Sequence, residues 1–478
     1  MAQREFDVVV IGGGAAGENA ADYAVRSGLS AALVEERLVG GECSYWACVP
    51  SKALLRTPQA VAAARRLPGV TAQLDPVAVL HRRTAFTDDW DDSSQVTWAD
   101  DAGITVVRGH GRIAGTRLVE VSTTGRTQLL RARHAVVVCT GSAPYLPPVP
   151  GLAAVHVWTS REATATREIP RRLGVLGGGV VGCEMAQAFQ RLGSRVVLLS
   201  RGPRLLPAME PFAGQRVATA LRADGVDVRL GTGLDAVTKL EDDDVSGASG
   251  AETVALHVGS ETLIVDELLV ATGRRPRTAD VGLDTIGLDP GDALRVDDTG
   301  QVVGVPGGWL YAAGDVTGRA LLTHQGKYQA RIVGAVIGAR ARGEELDVRP
   351  WGRHVTTADH RAVPQVVFTD PEVASVGWTE RQAREAGVDV RVVDLPIAVA
   401  GAQLLADGYE GAVRIVVDRE RDVPVGMTFV GQDVAELLHA ATIAVTGEVP
   451  LSRLWHAVPA FPTMSEVWLR LLEAYRRS

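Results

Sequence analysis

Asp7-Val8-Val9-Val10-Ile11-Gly12-Gly13-Gly14-Ala15-Ala16-Gly17 is the stretch that decides the fold of this chain. A β-branched run enters Gly-x-Gly-x-x-Gly and a helix-forming segment, Glu18 to Arg26, follows. The pattern predicts a buried strand, a tight turn and a helix. Alone such a motif is weak evidence. Here Ala31 to Val34 predicts a second strand, and it ends in Glu35, about 20 residues on, where the ribose-binding acid of a dinucleotide fold is expected. Gly12, Gly14 and Gly17 would let the backbone approach a pyrophosphate lying on the helix N-terminus, and Glu35 would accept hydrogen bonds from ribose hydroxyls. The plainer reading of Glu35 is a solvated surface acid.

The pattern repeats downstream. Gly174-Val175-Leu176 enters Gly177-Gly178-Gly179-Val180-Val181-Gly182, followed by a predicted helix from Cys183 to Leu192 and a strand from Val196 to Leu199. Two complete folds of this kind predict two dinucleotides. The repeat lacks the acid: Ser200 holds its place, with Arg201 next and Arg204 close behind. An acid there would repel a 2′-phosphate, whereas a neutral residue beside arginine favours one. The second coenzyme is therefore expected to be NADPH in preference to NADH, the competing reading being two surface arginines with selectivity set elsewhere.

Between the two folds lies Gly40-Gly41-Glu42-Cys43-Ser44-Tyr45-Trp46-Ala47-Cys48-Val49-Pro50-Ser51-Lys52. A helix-favouring run from Ser51 to Arg56 predicts that both sulfurs sit at the start of a helix, about one turn apart and within disulfide reach. The helix N-terminus and Lys52 would stabilise a thiolate. A structural disulfide or two buried thiols is the alternative. The only other cysteines, Cys139 and Cys183, fall in apolar strand and helix patterns. A single small-loop bridge adds little to a large soluble chain, so the pair reads as redox-active.

With 478 residues the chain has room for about three domains. Its net charge of -8 without a basic tract argues against nucleic acid as a partner. The strand-like run from Phe6 leaves no room for a signal peptide, and no apolar run approaches the ~18 residues of a membrane span, so a cytoplasmic location is expected. Asp88, Asp89, Asp91 and Asp92 read as solvated surface, and Glu241 to Gly250 as a polar loop. Cys139-Thr140-Gly141-Ser142 precedes a proline-rich boundary and is echoed by Ala271-Thr272-Gly273-Arg274-Arg275-Pro276, and Trp309 to Asp315 predicts a strand closing on a Gly-Asp turn. From about Arg349 alternating strands, Val363 to Phe368 and Ala412 to Val417, precede a helical run, Val434 to Thr446.

The order of these motifs, completed by Phe368-Thr369-Asp370-Pro371-Glu372, resembles along essentially the whole chain the flavoprotein disulfide reductases, the class I pyridine nucleotide-disulfide oxidoreductases. That group contains dihydrolipoamide dehydrogenase, glutathione reductase and mercuric reductase. The resemblance implies an α/β protein of two Rossmann-like dinucleotide-binding domains plus a C-terminal α+β dimerisation domain. Residues 1–150 and 276–348 would bind FAD, 151–275 NAD(P)H, and 349–478 would pair with a second copy in a homodimer. FAD would lie in the first fold with Asp315 on its ribityl chain, and NAD(P)H in the second with Glu184 near the nicotinamide. Gly41, Thr140, Gly141 and Gly273 complete the candidate cofactor contacts. Hydride would pass from nicotinamide to flavin and on to the disulfide, with Cys48 facing the flavin, Cys43 exchanging with substrate, and Lys52 beside the flavin, a place compatible with a pairing to Glu184.

The departures concern the acceptor. Dithiol- and glutathione-using members carry His-Pro-Thr and then an acid near the C-terminus, and that histidine shuttles protons. Here the aligned stretch is Pro459-Ala460-Phe461-Pro462-Thr463-Met464-Ser465-Glu466. Phe461 cannot carry a proton, and Glu466 loses the partner it would orient. His456 is a weaker substitute upstream. Mercuric reductases lack this histidine but add a C-terminal cysteine pair, absent from Leu472 to Ser478. Tyr45 and Trp46 between the cysteines either narrow access to Cys43 or pack the core. The sequence thus predicts an enzyme acting on something other than dihydrolipoamide or glutathione. Alternatives are a dihydrolipoyl dehydrogenase, a quinone or mercuric-type metal-ion reductase, and a non-catalytic flavin-binding subunit. Retention of Cys43, Cys48, Lys52 and Glu184 together argues against the last.

Overall fold

The computed structural model describes residues 3–240 and 253–477, and the polar loop read at Glu241 to Gly250 lies outside them. The chain builds two compact units, one from Met1–Val49, Thr84–Ala143 and Arg274–His360, the other from Pro50–Arg83, Pro144–Gly273 and Arg361–Ser478.

In the first unit the strand Gln3–Ile11 lies between Ala31–Glu35 and Arg126–Val138, parallel to both, with Ile104–Arg108 outside Ala31–Glu35 and Leu310–Ala312 on the end of Arg126–Val138. The early part of Arg126–Val138 continues antiparallel into Leu118–Thr123 and His110–Gly115. A central strand must be apolar on both faces, which is why Val8 to Ile11 is an unbroken β-branched run. Val8 and Val10 pack with Ala20, Ala24, Val333 and Ile337 of the helices Ala15–Arg26 and Thr323–Ala341, while Val9 and Ile11 face the opposite core of Val136, Val138 and Trp309.

The glycine turn leaves no alternative at two positions. Gly12 has φ +101, and a Cβ there would lie 2.4 Å from the Cys139 carbonyl oxygen. A Cβ on Gly17 would lie 1.8 Å from the Gly12 carbonyl oxygen, so the helix can pack this close only without a side chain. The helix begins at Ala15, a turn earlier than the periodicity from Glu18 indicates, because Gly14 serves as its N-cap.

The second unit holds a parallel sheet, Asp227–Leu230, Arg195–Ser200, Arg172–Leu176 and Glu267–Val270 in spatial order, and an antiparallel meander of Ala236–Lys239, Val254–Val258 and Glu261–Val265. Residues 364–431 add an antiparallel sheet ordered Pro364–Val367, Glu372–Gly377, Val423–Gly431, Ala412–Asp418, Val390–Pro396. Trp158, Leu173, Val175, Phe189 and Leu198 of the parallel layer share one core with Val367, Val373 and Val430. Among the described residues no helix is long and apolar enough to cross a membrane.

Candidate active site

Cys43 lies in a short helix, Gly41–Tyr45, and Cys48 opens the helix Cys48–Arg65. The two sulfurs therefore do not share one helix start, as the sequence led us to expect, because Trp46 caps the short helix and the chain turns again before Cys48. Both cysteines are half-buried. Cys43 is hydrogen-bonded to Cys48, and that contact, with burial and the neighbouring sulfur's charge, pushes the Cys43 thiol far above its ordinary range, while Thr323 and Lys327 pull it down. Once one sulfur of such a pair ionises, the other holds its proton. Thr323 Oγ1 stands 3.2 Å from Cys48 Sγ.

The redox stretch is laid directly on the first glycine turn. Gly40 N donates to the Gly13 carbonyl at 2.8 Å, and a Cβ on Gly41 would lie 2.6 Å from Gly14 Cα. Tyr45 is core: it is 3 % exposed, its hydroxyl donates to the Asp91 carbonyl at 3.3 Å, and its own carbonyl accepts from the Trp90 indole at 3.1 Å. Trp46 stays half-buried with its ring 5.8 Å from that of Tyr45. The acidic segment is not merely solvated surface, since Asp92 accepts from Val39 N at 2.7 Å and from Arg108 at 2.6 Å. A run of aspartates gives no hint of that cross-chain tie.

Glu35 ends its strand with Oε2 accepting from Gly13 N and Oε1 from Arg37 N, both at 2.6 Å. These bonds fix the carboxylate and leave lone pairs for two further donors. Asp315 Oδ2 accepts from Ser142 Oγ at 2.5 Å, and burial raises the carboxyl. Arg274 donates to Ser142 Oγ at 2.6 Å and pairs with Glu42, which also accepts from Arg277 at 3.1 Å. Thr140 Oγ1 donates to the Arg277 carbonyl at 2.6 Å, and Gly141, φ +71, faces open space. This network ties the segment before Cys43 to the Asp315 turn. Glu42 and Ser142 were not singled out in the sequence, because a lone acid and a lone serine beside glycines carry no periodic signal.

In the second unit Ser200 occupies the place that Glu35 holds in the first. A Cβ on Gly13 would meet Glu35 Cβ at 2.9 Å, and one on Gly178, the matching glycine, would meet Ser200 Oγ at 2.6 Å. Arg201 beside it is exposed and has no ion-pair partner among the described residues, while Arg204 donates to the Pro207 carbonyl at 3.2 Å. Gly182 packs its helix on Gly177 as Gly17 does on Gly12, whereas Gly179 and Gly273 face open space.

Glu184 is 2 % exposed in the helix Val180–Leu192, and both its oxygens are bound. Oε2 pairs with Lys52 Nζ at 2.7 Å and Oε1 accepts from Phe368 N at 2.9 Å, while Lys52 Nζ lies 5.0 Å over the Phe368 ring. The same helix face grips the rest of that motif: Gln187 Oε1 accepts from Asp370 N at 2.6 Å, and Arg191 pairs with Asp370 at 2.9 Å. Three, four and seven residues apart, these side chains lie on one stripe. The Phe-Thr-Asp-Pro-Glu motif is thus a docking strip for the helix carrying Glu184.

At the C-terminal end Phe461 is 76 % exposed, and Glu466 pairs with Arg470 while its buried Oε2 has no hydrogen-bond partner among the described residues. His456 is exposed. Phe461 and Glu466 make no mutual polar contact, as a phenyl ring requires.

The comparisons with known proteins agree with this geometry. The model of the pyridine nucleotide-disulphide oxidoreductases matches residues 6–336, and that of their dimerisation domain matches residues 363–472. The chain belongs to this family. A dihydrolipoyl dehydrogenase of Thermus scotoductus is 33% identical over 99% of the chain and 98% of its own length. A mercuric reductase of Lysinibacillus sphaericus is 29% identical, covering 96% of this chain and 81% of its own. The Cu(II) complex of the HOCl-induced flavoprotein disulfide reductase RclA from Escherichia coli superposes with TM-score 0.82 at 27% identity, covering 98% of this chain and 99% of that one.

This oxidoreductase is FAD-dependent, takes electrons from NAD(P)H and carries a dimerisation domain that supports a homodimer. The residues present fit FAD. Among the described residues a Cβ on Gly14 would meet only Gly41 Cα, at 3.7 Å, so there is room for an anion at the helix start, and the bound carboxylates of Glu35 and Asp315 still offer acceptors to hydroxyls.

Proposed function

We propose that this oxidoreductase prefers NADPH and passes electrons through Cys48 and Cys43 to an acceptor that sulfur engages without a C-terminal base. Thiophilic metal ions are the leading class. The observation that carries this reading is Phe461, an exposed phenyl ring where dithiol-using members have a proton-carrying histidine. A soft metal ion binds thiolate directly and has no leaving sulfur to protonate. The names of a mercuric reductase and of a Cu(II)-bound disulfide reductase among the similar proteins point the same way.

Bound FAD supplies the two-electron chemistry that links nicotinamide to disulfide. The chain's own residues do the rest. Glu35 and the first glycine turn would hold the adenosine end and the pyrophosphate, and Asp315, fixed by Ser142, would hold the ribityl hydroxyls. Glu184 fixes Lys52 in place. Cys48 keeps the negative charge of the reduced pair and Cys43 the proton.

The test is anaerobic NADPH oxidation with Cu(II), Hg(II), a quinone, lipoamide and oxidised glutathione in parallel. Metal ions are expected to be turned over fastest and the two disulfides slowest. Rapid lipoamide turnover would overturn the reading in favour of a dihydrolipoyl dehydrogenase.

Coenzyme choice rests on Ser200 and on the guanidinium of Arg201, which has no ion-pair partner among the described residues. A charge-assisted phosphate contact is worth ~1.5–3 kcal/mol, so Arg201→Ala is expected to raise the Michaelis constant for NADPH about tenfold or more and leave that for NADH nearly unchanged. A parent enzyme that uses NADH more efficiently sinks this assignment.

For the dimer, the exposed apolar side chains of Leu404, Ile443, Val458 and Phe461 need cover, and all lie within the dimerisation domain. We expect sedimentation to show a dimer at micromolar concentration. A stable monomer would rule out a site completed by the 459–466 stretch of the partner.

A further inference from the structure

The turn that carries Asp315 is held from behind by groups that none of the roles above uses. Gly314 has φ +84, and its buried N–H donates to Gln329 Oε1 at 2.8 Å. A buried backbone N–H without an acceptor is costly, so this bond fixes the peptide just before Asp315. Gln329 is 3 % exposed, and its Nε2 donates to Asp359 Oδ2 at 2.9 Å. Gln325, one turn earlier on the helix Thr323–Ala341, donates to Asp359 Oδ1 at 2.9 Å. The Asp359 side chain is 0 % exposed, with the Arg319 guanidinium 3.7 Å away.

The chemistry of these groups gives the arrangement a direction. An ionised carboxylate only accepts, so both glutamines must turn their NH2 groups toward Asp359. With its NH2 on the carboxylate, Gln329 has its oxygen left for Gly314 N–H. Asp359 thus selects the orientation of the amide, and the Gln329 oxygen passes that choice to the Asp315 turn. Burial raises the Asp359 carboxyl, while Gln329, Arg319, Gln325 and Thr356 all favour its charged form. Thr323, in the same first turn as Gln325, stands 3.2 Å from Cys48 Sγ, so the clamp also anchors the helix start beside the redox pair.

We propose that Asp359 is a positioning residue for FAD, setting through the Gln329 amide the Gly314–Asp315 turn that would meet the ribityl hydroxyls. The inference rests on the placement of Asp315 proposed above.

The experiment follows release of FAD from the holoenzyme on dilution, read as the rise in flavin fluorescence, in single variants and in an exchanged pair. Asp359→Asn puts an NH2 group against the Gln329 NH2, and if the Gln329 amide turns over to meet it, its own NH2 faces Gly314 N–H. Either way one buried donor is left unpaired, and release should be about tenfold faster. Arg319 is not stranded by this change, because it also donates to Asp298, Thr356 and the Val296 carbonyl. At alkaline pH Gln329→Glu alone sets two carboxylates together and should also release FAD faster. Asp359→Asn combined with Gln329→Glu exchanges donor and acceptor: the introduced amide donates, and the introduced carboxylate accepts from it and from Gly314 N–H. Release should return to within about twofold of the parent, a coupling that independent sites do not show. A role confined to packing would add the two losses, and additive loss overturns the proposal, as does an unmoved rate in Asp359→Asn. Should Asp359→Asn not fold, Gln329→Met removes the Gly314 acceptor while Asp359 keeps Gln325 and Arg319, and an unmoved rate there overturns it equally. Asp315→Asn separates the two readings. Fast release in that variant with the Asp359 variants unmoved unseats Asp359 alone, whereas unmoved release in Asp315→Asn unseats the placement of Asp315 and the proposal that rests on it.

Discussion

Cys48→Ser should abolish both metal-ion and disulfide turnover and remove the long-wavelength absorption that two-electron reduction produces in the parent. Cys43→Ser should do the opposite to the spectrum, showing the absorption without added reductant. The two sulfurs differ because of where they sit. Cys48 opens an 18-residue helix, whose N-terminal partial charge favours a thiolate, and its sulfur lies against the Thr323 hydroxyl. Cys43, in its own five-residue helix, has its thiol raised by the hydrogen bond to Cys48, by burial and by the neighbouring sulfur's charge, which on the proposed relay leaves it the protonated partner. Deleting Cys43 leaves Cys48 unable to form the disulfide and free to remain ionised, whereas deleting Cys48 removes the thiolate itself. The loss of turnover should exceed the ~10²–10⁴-fold typical of a proton-transfer group, since no second covalent route exists. Two variants with identical spectra would show that the pair is structural.

The parts of this site that the sequence disclosed are those written as local patterns. The strand–glycine–helix units could be read because sterics at Gly12 and Gly17 exclude any other residue, and the cysteine pair because its spacing is short. The equivalence of Ser200 with Glu35 was legible for the same reason. Other features depend on pairings that no local window contains. Asp92 reads as one of four surface acids until Val39 and Arg108 are brought to it. The Phe368 to Glu372 motif was recognised by resemblance, yet its physical reason, a strip bound by Glu184, Gln187 and Arg191 on one helix face, required the fold. The separation of the two cysteines into different helices was missed because a five-residue helix is too short to show periodicity.

Phe461→His should raise lipoamide turnover by ~10²-fold or more, the usual worth of a positioned acid–base group. Thiol exchange with a bulky disulfide needs a proton for the acceptor's own leaving sulfur, and a phenyl ring does not supply it. The phenyl ring at 461 is exposed within its own subunit, so an imidazole can replace it without opening a cavity in that subunit's core, and Glu466 stands five residues on with one buried oxygen that has no partner among the described residues. Arg470 already occupies the other oxygen, so the gain should be larger in Phe461→His combined with Arg470→Ala, where the carboxylate is released to orient the ring. Metal-ion turnover should change little in either variant, since no sulfur leaves in that reaction, and this asymmetry separates a gained proton donor from a general repair of the enzyme. The competing arrangement is that His456 already does the work in the parent. Lipoamide turnover of ~10² s⁻¹, within the usual range for enzymes, lost on His456→Ala and indifferent to residue 461, would establish that arrangement and return the protein to the dihydrolipoyl dehydrogenases it resembles.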